Sequence, residues 1–250
     1  MNLTALWVLV PSFCVVAFLY AAVGHGGASG YLGISVLVGL PREEMVPIAL
    51  VLNLIVAGMS FWNYFRAGYF SGRKLLPFVL TSIPGAFWGG SVTVGSRVFA
   101  LLLGIGLVGA GLRLLGLGRA VRPRWAAEPR LLWPAGLVLG FILGVLAGVT
   151  GVGGGIFLSP LLLFLNCADA KQTAALSSAF IVVNSASGLL AHSLRGSLNG
   201  ALLGPLVTAV LVGGGLGAHL GARRFSPVWL QRLLGIVLLV ASFKLLSQAL

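Results

Sequence analysis

The chain has almost no acid. Only 4 of its 250 residues are Asp or Glu, and charged residues of all kinds make up 8%. A soluble domain carries about a quarter charged residues, because it needs a solvated skin. A chain this poor in charge cannot cover itself in water. The four acids, Glu43, Glu44, Glu128 and Asp169, all stand at the ends of apolar segments. No carboxylate pair is therefore placed for general acid–base work, and no nucleophile–base pair is visible. A bound sodium ion would have carbonyls and hydroxyls alone for ligands. The two cysteines, Cys14 and Cys167, sit inside apolar stretches and read as packing residues. There is no CxxC, no Cys/His cluster, no HExxH and no GKS or GKT phosphate loop. The sequence thus gives no grounds for an enzyme, a metal centre or a cofactor.

What is present is apolar. Hydrophobic residues make up 58% of the chain, and the mean hydropathy is +1.07. Runs long enough to span roughly 30 Å of hydrocarbon recur from end to end. The expected fold is an all-α polytopic membrane protein with about 8–10 membrane segments. The net charge of +12 comes from 16 Lys and Arg, which lie mostly in short loops. That pattern fixes membrane orientation and argues against nucleic acid as a partner.

The first half reads as an apolar segment over 6–23, a break over 24–27, a short segment over 28–40, and spans over 43–65, 75–94 and 98–117. A polar linker covers 118–130. The second half reads 131–149, a break over 150–154, a short segment over 155–166, then spans over 171–194, 198–220 and 229–250. Landmarks repeat in order and at matching intervals. Gly24, Gly26 and Gly27 return in the second half as Gly151, Gly153 and Gly154. Gly68, Pro77, Gly85 and Gly89 return with the same mutual spacing as Gly196, Pro205, Gly213 and Gly217. The pattern reads as an internal duplication, with repeats over 1–117 and 131–250 joined by the linker.

Each repeat is expected to hold one broken-helix hairpin plus three crossings. Three is odd, so the second copy is inverted. Arg66, Arg73, Lys74, Arg113, Arg119, Arg122, Arg124, Arg130, Lys171, Arg223, Arg224 and Arg232 then fall inside, and only Arg42, Arg97, Arg195 and Lys244 fall outside. The positive-inside rule asks for that bias. The linker is then cytoplasmic, and both termini face out.

Inverted repeats with broken helices are a transporter plan. Backbone can leave the helix at membrane depth only where protein or a water-filled cavity receives it. A break frees N–H groups at the start of the next helix, which carries about half a positive charge there. Glycine lets a ligand approach that backbone closely. The candidate anion site is therefore Gly24, Gly26 and Gly27 in one break, and Gly151, Gly153, Gly154 and Gly155 at the other. His25 stands inside the first break, where it can donate to an anion, carry a coupling proton or be structural. Ser29 and Thr150 flank the breaks as ligands or helix caps. Asn53 on one crossing, and Ser177, Ser178 and Asn184 on its counterpart, add neutral donors whose alternative use is interhelical hydrogen bonding.

The paired motifs GHGG and GVGGG, with "GVGGGIFLSPLLL" and "QTAALSSAFIVVNSASGLLAH" following in the second half, resemble the sulfite exporter TauE/SafE family of membrane permeases. The resemblance covers essentially the whole chain. The first motif departs from the second, with Ala28 in place of the last glycine and no proline at the matching position. The resemblance implies a secondary transporter in the cytoplasmic membrane for a small sulfur-containing anion such as sulfite, an organosulfonate or sulfoacetate. A passive anion channel and a membrane subunit of a larger complex are the alternatives. The partners are then the anion, the lipid bilayer and a coupling proton or sodium ion; a homo-oligomer is compatible with the sequence.

Overall fold

A computed structural model describes residues 3–40, 42–92, 129–164, 167–193 and 200–249, with isolated positions between 97 and 115. Among the described residues the chain is helical, with no strand. The helices are α1 (Leu3–Ala22), α2 (Ala28–Leu37), α3 (Arg42–Arg66), α4 (Gly72–Ser91), α5 (Pro129–Thr150), α6 (Gly155–Phe164), α7 (Ala170–Ser193), α8 (Gly200–Arg223) and α9 (Pro227–Ala249). Apart from those isolated positions, the expected span over 98–117 lies outside the described residues, as does most of the linker over 118–130.

The chain is an all-α polytopic membrane protein. Among the described residues, four stretches are long and apolar enough to cross a bilayer: Glu44–Arg66, Trp133–Thr150, Ala170–His192 and Leu202–Arg223. Large apolar side chains point outward, among them Trp7, Val138, Val212, Val240 and Phe243. In water such exposure would be costly; in lipid it is the expected surface. By contrast, α2 and α6 have 10 residues each. That is about 15 Å of helix, half the hydrocarbon thickness. Neither can cross alone.

Small residues set how the long helices pack. A Cβ at Gly140, Gly144 or Gly148 of α5 would strike the backbone of Phe78, Ser82 or Ala86 of α4. From the other side, Gly85 and Gly89 of α4 abut the backbone of Phe141 and Val145. The numbers rise together, so α4 and α5 are parallel. A second seam joins α1 to α8, where Gly213, Gly217 and Gly221 abut the backbone of Cys14, Phe18 and Ala22. These helices are also parallel. Gly213 and Gly217 are the second-half counterparts of Gly85 and Gly89, and Phe141 and Val145 fall at the places of Cys14 and Phe18. The two seams use matching positions of the two halves, exchanged. Close backbone approach through small residues is how membrane helices gain packing without a hydrophobic drive between them.

Two lysines fix the relative directions. The Lys74 ammonium, at the start of α4, donates to the carbonyl of Cys167 at 2.8 Å and to Gln172 Oε1 at 3.1 Å. The Lys171 ammonium, at the start of α7, donates to the Ala222 carbonyl at 3.2 Å and the Tyr69 hydroxyl at 3.3 Å. The starts of α4 and α7 and the end of α8 therefore meet at one basic end of the molecule. Helix α1, parallel to α8, runs toward that end. Helix α5, parallel to α4, runs away from it. After α5 the chain turns, and α6 returns it to the basic end at Cys167. After α1 it also turns, and α2 folds back along it: Tyr31 stacks on Phe13 at 4.7 Å, and Tyr20 bonds Ser29.

Helices α3 and α7 cross at the centre, antiparallel. Gly188 sits beside Leu50, and Ser185 bonds Asn53. These are the most buried of the four long apolar stretches, at 61% and 67%. The tips of the two hairpins close on this crossing.

Candidate functional site

The first break begins with a glycine that ends α1. Gly24 has φ +81°. Its N–H donates to the Ala21 carbonyl at 3.1 Å, and the His25 N–H reaches the Tyr20 carbonyl at 2.8 Å. That pair of bonds is the Schellman arrangement, which wants glycine at the left-handed position. The last carbonyls of α1 are met from α3, by the Ser60 hydroxyl on Ala21 at 2.9 Å and the Tyr64 hydroxyl on Ala22 at 2.7 Å. Every residue from Gly24 to Ala28 is buried.

In the second break Gly151, Gly153 and Gly154 all have positive φ, at +69°, +77° and +78°. Helix α5 continues through Thr150, one residue into the expected break: the Gly151 N–H still reaches the Ala147 carbonyl at 3.0 Å, and the Thr150 hydroxyl bonds back to the Leu146 carbonyl at 2.6 Å. The Gly154 carbonyl then starts α6 by accepting from Phe157 and Leu158.

Asn53 ties the two breaks together. Its Oδ1 accepts from the Ala28 N–H, the first amide of α2, at 3.1 Å. Its Nδ2 donates to the Val152 carbonyl at 3.2 Å and to Ser185 Oγ at 2.9 Å. A Cβ on Gly26 would strike the Asn53 side chain, and one on Gly153 would press between Asn53 Nδ2 and Ser185 Oγ. These glycines are thus required by the close approach to the amide, in addition to the turn at Gly153.

His25 reaches from the first break into the second half. Its Nδ1 lies 3.2 Å from the Val23 carbonyl. Its Nε2 lies 3.1 Å from Ser159 Oγ on α6, and Ser159 Oγ lies 2.6 Å from Ser177 Oγ on α7. All three side chains are buried. Gly155 packs against Ile181 and the Ser177 carbonyl, alongside this chain.

The remaining sequence candidates are engaged locally. Ser29 shares a hydrogen bond with Tyr20 at 3.0 Å. Ser178 bonds the Ala175 carbonyl at 3.0 Å, and Asn184 Nδ2 bonds the Phe180 carbonyl at 2.8 Å, both within α7. Asn184 Oδ1 has no partner among the described residues. Sequence reasoning passed over Ser159, Tyr20 and Tyr31. Ser159 lies within the quoted GVGGGIFLSP, one helical turn after Gly155, and that spacing was the available signal. Among the described residues no Asp, Glu, Lys or Arg is buried, and no cluster of His, Cys, Asp or Glu could hold a metal ion. The breaks therefore offer an environment of amides, hydroxyls and one imidazole, closed to solvent.

The family described as "Sulfite exporter TauE/SafE" matches residues 9–245. The "Probable membrane transporter protein y4hK" of Sinorhizobium fredii (strain NBRC 101917 / NGR234) is 34% identical over 241 residues, covering 95% of this chain and 97% of that protein. The "Probable membrane transporter protein YunE" of Bacillus subtilis (strain 168) is 24% identical over 219 residues, covering 80% of this chain and 78% of that protein. No solved structure matches at a significant level.

Proposed function

Since the chain belongs to the sulfite exporter TauE/SafE family, we propose that this membrane permease carries a small sulfur-containing anion, such as sulfite, an organosulfonate or sulfoacetate, by alternating access. The observation that carries the reading is the meeting of two glycine-broken hairpins at Asn53. One hairpin belongs to the repeat over 1–117 and the other to the repeat over 131–250, and α1 and α5 run in opposite directions. Inverted-topology repeats account for that arrangement. Each break opens onto the N-terminal amides of a short helix, where a small oxyanion is favoured by both dipole and hydrogen bonding. Neutral donors hold an anion weakly, which suits a site that must release it.

The basic end, carrying Arg66, Arg73, Lys74, Lys171, Arg223 and Arg224, faces the cytoplasm in this reading, with the chain in the cytoplasmic membrane. A carrier is favoured over an open channel by the burial of both breaks and by the Asn53 bonds that cross between them. Substrate passage requires those bonds to part on one side at a time.

The test is flux of labelled sulfite and methanesulfonate into proteoliposomes, wild type against Gly153→Leu. The leucine fills the space between the breaks and occupies a left-handed backbone position. The expected result is loss of saturable flux with the protein still inserted in the membrane. Wild-type rates in the inserted Gly153→Leu variant would reject the site.

A further inference from the structure

We propose that His25 is the binding site for a proton that accompanies the anion, so that a monovalent anion and a proton cross together without net charge. This rests on the anion site proposed above.

The hydrogen-bond chain assigns the neutral ring. A carbonyl only accepts, so the contact with Val23 places the ring hydrogen on Nδ1. Nε2 is then a bare lone pair. Ser159 donates its hydrogen to that lone pair, and Ser177 donates its own to Ser159. A proton arriving at Nε2 reverses the sequence. The ring keeps its bond to Val23 and now donates from Nε2 to Ser159. The Ser159 hydrogen rotates toward Ser177, and the Ser177 hydrogen turns to another acceptor. One proton is added, no covalent bond within the chain breaks, and only hydroxyl rotors turn.

The surroundings make that proton depend on the anion. Three phenols, neutral near pH 7, face the break: Tyr20 of α1, whose ring centre is 6.3 Å from the imidazole, Tyr31 of α2, which lies against Gly27, and Tyr64 of α3, which bonds the end of α1. The charged group on α7 is Lys171, one turn before the Ala174 that abuts Gly24, and its ammonium is held by the Ala222 carbonyl and the Tyr69 hydroxyl. Helices α6 and α7 present the Ser159 and Ser177 hydroxyls, and α6 also brings the Gly155 backbone to the ring. With no buried acid among the described residues, an imidazolium here has no counter-charge in the protein. With no buried Lys or Arg among them, an anion has none either. A lone buried ion of either sign is strongly disfavoured. Together they neutralise each other, and the coupling is reciprocal: the anion favours the proton by the factor with which the proton favours the anion.

The experiment uses proteoliposomes with a trapped pH dye, and methanesulfonate as the probe, because it stays anionic throughout the working range. Sulfite is run in parallel for flux alone. In wild type, an inward methanesulfonate gradient should acidify the lumen with one proton per anion. Flux should be unchanged when the membrane potential is clamped at different values. The apparent affinity should weaken with rising pH, approaching about tenfold per unit where one linked proton is lost. His25→Gln should leave slower flux that no longer acidifies the lumen, responds to voltage and has a flat pH profile. Ser159→Ala, which removes one hydroxyl from the chain, should keep the coupling and move the midpoint of the pH profile. Wild-type flux that carries current and does not acidify the lumen overturns the proposal and leaves the anion site standing, whatever the variants do. Unaltered proton coupling in His25→Gln overturns it as well. Wild-type flux of neither anion overturns the anion site, and this inference with it.

Discussion

Replacing Asn53 by alanine should destabilise the fold measurably. Three hydrogen bonds go: the Ala28 amide at 3.1 Å, the Val152 carbonyl at 3.2 Å and the Ser185 hydroxyl at 2.9 Å. Bonds between membrane helices average ~0.6 kcal/mol and reach ~1.7 at most, so the three come to about 2 kcal/mol with a ceiling near 5. Two of the groups left behind are backbone groups in a dry place, where an unmet donor or acceptor costs about 1–3 kcal/mol. The expected loss is therefore about 2–3 kcal/mol, above the bare average. For a chain of this length that is a fall in Tm of roughly 5–10 °C. Thermal unfolding in mild detergent, followed by the fluorescence of the 6 tryptophans, reads it directly. A double-mutant cycle with Ser185→Ala isolates the 2.9 Å bond, for which coupling of about 0.5–1 kcal/mol is expected. A variant that unfolds at the wild-type temperature yet carries no anion would refute the reasoning. Asn53 would then be spending its donors on substrate and not on the hairpins.

Tyr31→Phe should raise thermal stability by about 1 kcal/mol, because the phenol is fully buried and its hydroxyl has no partner among the described residues, while the ring stack on Phe13 is kept; a lower Tm than wild type contradicts this. Gly89→Ala and Gly217→Ala should cost similar amounts, about 1–3 kcal/mol each, because both methyl groups would enter the backbone of a parallel partner helix at matching positions; denaturation midpoints that diverge widely would deny the equivalence of the seams. A cysteine at Arg224, exposed at the basic end, should react with impermeant maleimide only from the cytoplasmic side, and one at Glu44, exposed at the start of α3, only from the outside; labelling of both from one side would overturn the orientation.

The framework was legible because it is written in local pattern. Apolar length gave the spans. Glycine runs marked where helices stop, since Gly24 must take φ +81° for the α1 cap to close. The repeated spacing singled out Gly85, Gly89, Gly213 and Gly217 as landmarks, without showing that they would line two helix seams. The polar site was less legible. Ser177 and Ser178 are neighbours in the sequence and point about 100° apart on a helix; Ser177 joins the His25 chain, whereas Ser178 bonds its own backbone. Nothing local distinguishes them. Ser159 meets His25 across a separation of 134 residues, so its role appears only once both hairpins are in place. Hydroxyls in a dry helix take a carbonyl of their own turn when nothing better is near, and Thr150 and Ser178 do so. The spans themselves give no sign of which serine will be spared.

Under the alternating access proposed above, the two glycine seams also bear on what can move as a block. Each welds a helix of one sequence half to a helix of the other, backbone against backbone: α1 with α8, and α4 with α5. Sliding along such a seam would bring bulkier neighbours of these glycines against the partner backbone, so the paired helices would travel whole. The levers of the proposed carrier would accordingly be mixed, each made from both halves of the chain, with the α3–α7 crossing between them. A cut through the linker would divide the gene product into its two sequence halves, but under that proposal it would not separate the parts that move.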